Sequence, residues 1–162
     1  MIDAETRALA ERVLDACRAR GWKLATAESC TGGLVAGMLT EIAGSSDVVD
    51  RGFVTYSNAA KMAMLGVPEA TLAAHGAVSR QTAEAMARGA LERAGVDLTV
   101  AVTGIAGPGG GSAAKPVGLV HFAAATGSRL MHREKRYGNI GRSEVRRLSV
   151  IEALNLLLEL AA

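Results

Sequence analysis

The sequence predicts an α/β protein: a mixed sheet with helices on both faces. Helical and strand periodicities alternate through the first two thirds of the chain, and two neighbouring strand patterns close on a short turn near its end. Aromatic residues make up only 3% while glycine occurs 19 times, so the core must be aliphatic and alanine side chains against closely packed backbone. That composition suits helices on a sheet better than an aromatic-rich sandwich. At 162 residues and 49% apolar content, the chain fits one ordinary domain, which buries roughly 70% of its unfolded surface. The whole span 1–162 is read as that single domain.

Each element has its own signal. Leu9, Val13, Leu14 and Cys17 recur at three- and four-residue steps, an amphipathic helix ended by Gly21. Trp22 to Ala27 reads as a short strand, broken by Glu28-Ser29-Cys30-Thr31-Gly32-Gly33 before an apolar helix from Leu34 to Ile42. A second strand covers Val48 to Tyr56, followed by a short helix from Asn58 to Leu65 and a turn at Gly66-Val67-Pro68. Ser79 to Ala94 is a helix by the period of Ala83, Met86, Ala87, Ala90, Leu91 and Ala94, with Ser79 as its cap. Val96, Leu98, Val100 and Val102 alternate with polar or small residues, a strand that runs into the glycine-rich loop Gly104 to Gly111. Val117 to Thr126 and Leu130 to Tyr137 read as an antiparallel hairpin turning at Gly127-Ser128, and Ser143 to Leu160 as a closing helix.

Composition also excludes classes. A net charge of +2, one Trp, two Tyr and two Phe provide neither the broad basic face nor the stacking platforms of a nucleic-acid binder. Two cysteines and three scattered histidines show no metal-ligand spacing, so neither a metal nor another cofactor is expected. The opening residues mix acids and bases unlike a signal peptide, and no stretch approaches the ~18 apolar residues of a membrane span, so the expectation is a soluble cytoplasmic protein.

Three constellations carry chemistry. Ser29 sits where a strand gives way to a helix, a place where free backbone N–H groups favour negative charge. It is either a helix cap or a nucleophile, with Cys30 as an alternative nucleophile that nothing marks as a thiolate. No histidine stands in a recognisable triad arrangement, which leaves lysine as the base. Tyr56 at a strand end and Lys61 one turn into the next helix could converge on Ser29, and a desolvated Lys61 would accept its proton. Gly104 to Gly111, preceded by Thr103, lacks the Lys-Ser/Thr ending of a P-loop. It is either a surface loop or a place where backbone approaches a phosphate or ribose. From Arg129 to Arg147, seven cations face two acidic residues, and Arg142 at the start of the last helix is placed to clamp a phosphate.

Taken in order, Ala27-Glu28-Ser29-Cys30-Thr31-Gly32-Gly33, Tyr56-Ser57-Asn58-Ala59-Ala60-Lys61, Gly76-Ala77-Val78-Ser79, Thr103-Gly104-Ile105-Ala106-Gly107-Pro108-Gly109-Gly110 and Gly141-Arg142-Ser143-Glu144-Val145-Arg146 closely resemble the CinA C-terminal domain family across essentially the whole chain. The resemblance implies a three-layer α/β/α sandwich with a mixed, mostly parallel sheet, assembled as a homodimer or larger oligomer. It implies hydrolysis of the carboxamide of nicotinamide mononucleotide to nicotinic acid mononucleotide and ammonia. In that reading Ser29 is the nucleophile and Lys61 with Tyr56 handles protons. Glu28, Thr31, Gly32, Gly33, Thr103, Gly104 and Gly107 hold the nucleotide, and Arg142 meets its phosphate. The rival class is a nucleotide-binding or regulatory module that keeps the pocket without the reaction.

Overall fold

In the computed structural model, which describes residues 3–162, a five-stranded sheet of order β2-β1-β3-β4-β5 lies between two helical layers. Met1 and Ile2 of the expected domain lie outside the described residues. The first helix, α1 (Ala4–Arg20), starts on the Asp3 carboxylate, which accepts from Thr6 N at 2.7 Å, and stops at left-handed Gly21. There follow β1 (Leu24–Glu28), α2 (Leu34–Thr40), a 3-10 turn (Ser45–Asp47), β2 (Val49–Val54) and α3 (Asn58–Leu65). Then come α4 (Glu69–His75), α5 (Arg80–Ala94), β3 (Leu98–Gly104), the hairpin β4 (Leu119–Ala125) and β5 (Leu130–Arg136), and α6 (Arg142–Ala161).

β2, β1 and β3 pair in parallel, whereas β4 is antiparallel to both β3 and β5. Four strands therefore share one direction, and β4 is the reversed one.

The sheet has two unlike faces because the strands alternate. Leu98, Val100 and Val102 of β3 and Val120, Phe122 and Ala124 of β4 join the core formed with α1, α2 and α6. On the opposite face Ala27, Ala101, Ala123 and Ala125 meet Ala83, Met86, Ala87 and Ala90 of α5. Small residues on both sides bring helix and sheet together closely enough for the Thr99 hydroxyl to donate to the Ala87 carbonyl at 2.7 Å. The same closeness continues to α3, where a Cβ on Gly89 would stand 1.9 Å from the Leu65 carbonyl oxygen.

Two expectations are corrected. The second strand ends at Val54 rather than Tyr56, so Thr55 and Tyr56 lead into α3. α4 was not expected: its seven residues include a single buried one, Leu72, too few to show a helical period.

The parallel half of the sheet positions the site. The connection through α2 leaves β1 on one side, and the path through α3, α4 and α5 returns to β3 on the other. The carboxyl ends of β1 and β3 thus flank the topological switch point, where α/β proteins bind ligands. Ser29 follows β1 and Thr103 nears the end of β3, and Ser29 N–H donates to the Val102 carbonyl at 2.9 Å across that point.

Gly89→Ala should destabilise the fold by about 2 kcal/mol through overpacking, where an open helix site would gain up to about 1 kcal/mol from the same change. Urea unfolding measures the sign.

Candidate active site

A cleft of about 270 Å³ opens at the switch point and is lined by Ser29, Tyr56, Lys61, Thr103, Gly104, Gly107 and Arg142 among others. These expected site residues, from five different segments, are brought together. Ala77, Val78, Ile105 and Ala106 also line it, and the Thr103 hydroxyl donates to the Ala77 carbonyl at 2.8 Å, tying the β3 end to the entry of α5.

At the bottom of the cleft the Lys61 amine nitrogen lies 2.8 Å from the Thr55 carbonyl, 3.0 Å from Ser29 Oγ and 3.4 Å from the Tyr56 carbonyl, all within hydrogen-bond reach. Its placement follows from local sequence. Ser57 caps α3 by accepting from Ala60 N, Lys61 N–H donates to the Ser57 carbonyl, and the side chain turns back beneath the end of β2. Lys61 is 1% exposed and forms no salt bridge among the described residues, so burial pushes its pKa below the ordinary lysine value. A neutral amine has two N–H donors and one lone pair. The two carbonyls accept only, so in a neutral amine they would take the N–H groups and the lone pair would face Ser29 Oγ. No histidine hydrogen-bonds Ser29 among the described residues; His121 and His132 bond each other at 2.9 Å. Burial pushes the Cys30 thiol up to about 12, which leaves it protonated and a poor nucleophile.

The side chains of several expected residues stand behind the cleft rather than in it. Glu28 and Thr31 are fully buried and turned toward α2. The Glu28 carboxylate accepts from the Thr31 hydroxyl at 2.6 Å, from Val35 N at 2.9 Å and from Ala36 N at 3.0 Å. Neither Ser29 nor Thr31 caps α2: the N-cap position is Gly33, and Glu28 satisfies the free N–H groups instead. Gly32 and Gly33 adopt φ of 58° and 103°, a left-handed pair that lets the chain turn from strand to helix. The expected pairing of the Tyr56 phenol with Lys61 is also revised. The Tyr56 carbonyl faces the amine, and its phenol, on a side chain left 61% exposed, accepts from Arg142 at 2.8 Å. Arg142 donates as well to the Gly107 carbonyl at 2.9 Å, so it bridges the two lips of the cleft.

Arg146, which closes the last of the sequence motifs and counts among the seven cations, was assigned no role from the sequence. One turn beyond Arg142, it donates to the carbonyls of Cys30 at 3.1 Å and Thr31 at 3.3 Å. The four-residue step from Arg142 was the available signal.

Fold and site together define an α/β sandwich protein with a serine and a buried amine at its switch point. The chain belongs to the CinA C-terminal domain family, whose model matches residues 6–161. It is 53% identical over 159 residues to the nicotinamide-nucleotide amidohydrolase PncC of Escherichia coli strain K12, covering 97% of this chain and 95% of that protein. Other relatives are much longer. The chain spans 37% of a CinA-like protein from Synechococcus sp. strain RCC307, with 54% identity over 155 residues, 95% of this chain. It likewise spans 29% of a CinA-like protein from Chloroherpeton thalassium. Among solved structures, the competence/damage inducible protein CihA from Agrobacterium tumefaciens superposes with a TM-score of 0.98 at 56% identity, covering 100% of this chain and 99% of that one.

The depressed Lys61 pKa has a thermodynamic signature. The native state sheds this proton before the unfolded chain, whose lysine titrates near ~10.4. Between the two values the unfolded state binds more protons, so Lys61 makes stability rise with pH. In Lys61→Met that contribution should vanish, and urea unfolding from pH 7 to 10 should show wild type gaining stability relative to the variant.

Proposed function

We propose that the chain is a nicotinamide-nucleotide amidohydrolase, converting nicotinamide mononucleotide to nicotinic acid mononucleotide and ammonia. The observation that carries this reading is the 3.0 Å contact between Ser29 Oγ and the buried Lys61 amine. The relative named for that activity, similar over 95% of its own length, supports this substrate class.

Lys61, neutral, takes the Ser29 proton as Oγ attacks the carboxamide carbon. The tetrahedral oxyanion is met by the N–H groups of Cys30 and Thr31, which donate to no protein acceptor among the described residues. The Lys61 ammonium then protonates the departing nitrogen, ammonia leaves, and Ser29 carries the acyl group as an ester. Water, deprotonated by Lys61, attacks that ester and restores the serine. Thr103, Gly104 and Gly107 hold the nucleotide against the β3 end. Arg142 exchanges its Gly107 carbonyl contact for the phosphate, because a charged anion is the stronger partner for a guanidinium. Tyr56 orients Arg142 through its phenol. A homodimer or larger oligomer and a cytoplasmic setting belong to the same reading; among the described residues no helix is long and apolar enough to cross a membrane.

Ser29→Ala should lower ammonia release from nicotinamide mononucleotide by more than about 1,000-fold while the protein keeps its fold. Near wild-type turnover by that variant would eliminate the serine mechanism. Heat of nucleotide binding to wild type without ammonia would mark a binding module instead.

A further inference from the structure

The first two turns of α6 carry three arginines with different partners. Arg147 pairs with Glu144 through two hydrogen bonds, and Arg142 spans Tyr56 and Gly107. Arg146 is half-buried, and among the described residues it has no carboxylate within 4.0 Å; its hydrogen bonds go to the Cys30 and Thr31 carbonyls alone. A guanidinium kept partly out of water without a counter-charge is costly, and two backbone carbonyls compensate it poorly. What it gains is control of the turn that carries Ser29.

That control follows from peptide planarity, since each C=O is rigidly opposed to the N–H of the next residue. The Cys30 carbonyl held by Arg146 shares its plane with Thr31 N–H. The Thr31 carbonyl shares its plane with Gly32 N–H, which closes the turn by donating to the Ser29 carbonyl at 3.0 Å. Thr31 O also accepts from Leu34 N at 3.0 Å, so the second plane has another support, whereas the first is held at its carbonyl by Arg146 alone among the described residues. The first plane carries the Thr31 N–H, two residues after Ser29, which donates to no protein acceptor among the described residues.

We propose that Arg146 is a positioning residue for the hydrolysis. Through the Cys30 carbonyl it aims and polarises the Thr31 N–H as the donor to the oxyanion that develops when Ser29 attacks. The inference rests on Ser29 acting as the nucleophile of the proposed reaction.

The test uses two readouts on wild type, Arg146→Met, Arg146→Lys and, as a control, Arg147→Met. One is ammonia release from nicotinamide mononucleotide. The other is covalent labelling by a fluorophosphonate, in which Ser29 Oγ bonds to phosphorus, fluoride leaves and the hydroxyl proton passes to Lys61. Negative charge builds on the phosphoryl oxygen, so labelling reports oxyanion support without the natural substrate. Removing one such donor slows reaction by about 100-fold or more, so Arg146→Met should lose about 100-fold in labelling rate and in kcat. KM should stay within about twofold, because the contact matters in the transition state. Arg146→Lys, able to hold one carbonyl, should fall between, and Arg147→Met should match wild type. The inference is overturned if folded Arg146→Met labels at the wild-type rate, if its loss lies in KM alone, or if Arg147→Met loses as much. Should Arg146→Met fail to fold, Arg146→Lys decides: a lowered kcat at unchanged KM supports the role and full activity refutes it. Wild type that labels but releases no ammonia would refute the nucleotide reading, and the labelling ratio alone would then judge Arg146. Wild type that resists labelling would overturn both.

Discussion

Burial of the Lys61 amine without a counter-ion is the constraint around which the rest of the site is arranged. At 1% exposure burial disfavours the charged form, and the surroundings supply carbonyl oxygens rather than a carboxylate. A closed ring of contacts keeps the amine in place. Thr55 N–H donates to the Glu28 carbonyl at 2.8 Å, continuing the β1–β2 pairing one residue past the strands. The Thr55 carbonyl then receives Lys61, and Lys61 reaches Ser29, the neighbour of Glu28. Ser29 and the Lys61 amine are therefore both tied to the same parallel strand pair.

The neighbouring carboxylate shows how the amine stays uncompensated. Glu28 is adjacent to the nucleophile, and facing the cleft it would pair with Lys61 and raise the amine's pKa. Strand alternation turns it to the other face with Thr26, and the N–H groups of Val35 and Ala36 occupy it there. One buried acid thus satisfies the start of α2 while leaving the Lys61 amine free of ion pairing. The low aromatic content belongs to the same design, because alanines on the α5 face let the helical layer sit close to the sheet and bring Ala77 and Val78 to the cleft.

Much of this was legible in the chain. Long periodic segments such as α1, α5, β3 and α6 announce themselves over ten or more residues or by strict alternation, and Ser79 caps α5 as its position suggests. α4 was not legible, since two turns with one buried leucine carry no period. Ser29, Lys61, Thr103, Gly104, Gly107 and Arg142 stood out as candidates near strand ends and helix starts, but their roles came from the resemblance to the CinA C-terminal domain family. What one-dimensional reading missed was direction. The family resemblance implied substrate contacts for Glu28 and Thr31, whereas the pleat sends the Glu28 side chain behind the cleft and the turn buries that of Thr31. Tyr56 was chosen for its phenol, yet its carbonyl meets the amine, a distinction set by where β2 ends.

The ionisation of Lys61 is the claim on which the account turns, and NMR can follow it directly. In protein labelled with 13C at lysine Cε, the resonance assigned through Lys61→Met should titrate below the other lysines, which report near ~10.4. It should do so in the free enzyme, before any substrate is bound. A Lys61 signal that titrates with the other lysines, or above them, would contradict a neutral amine as the base for Ser29.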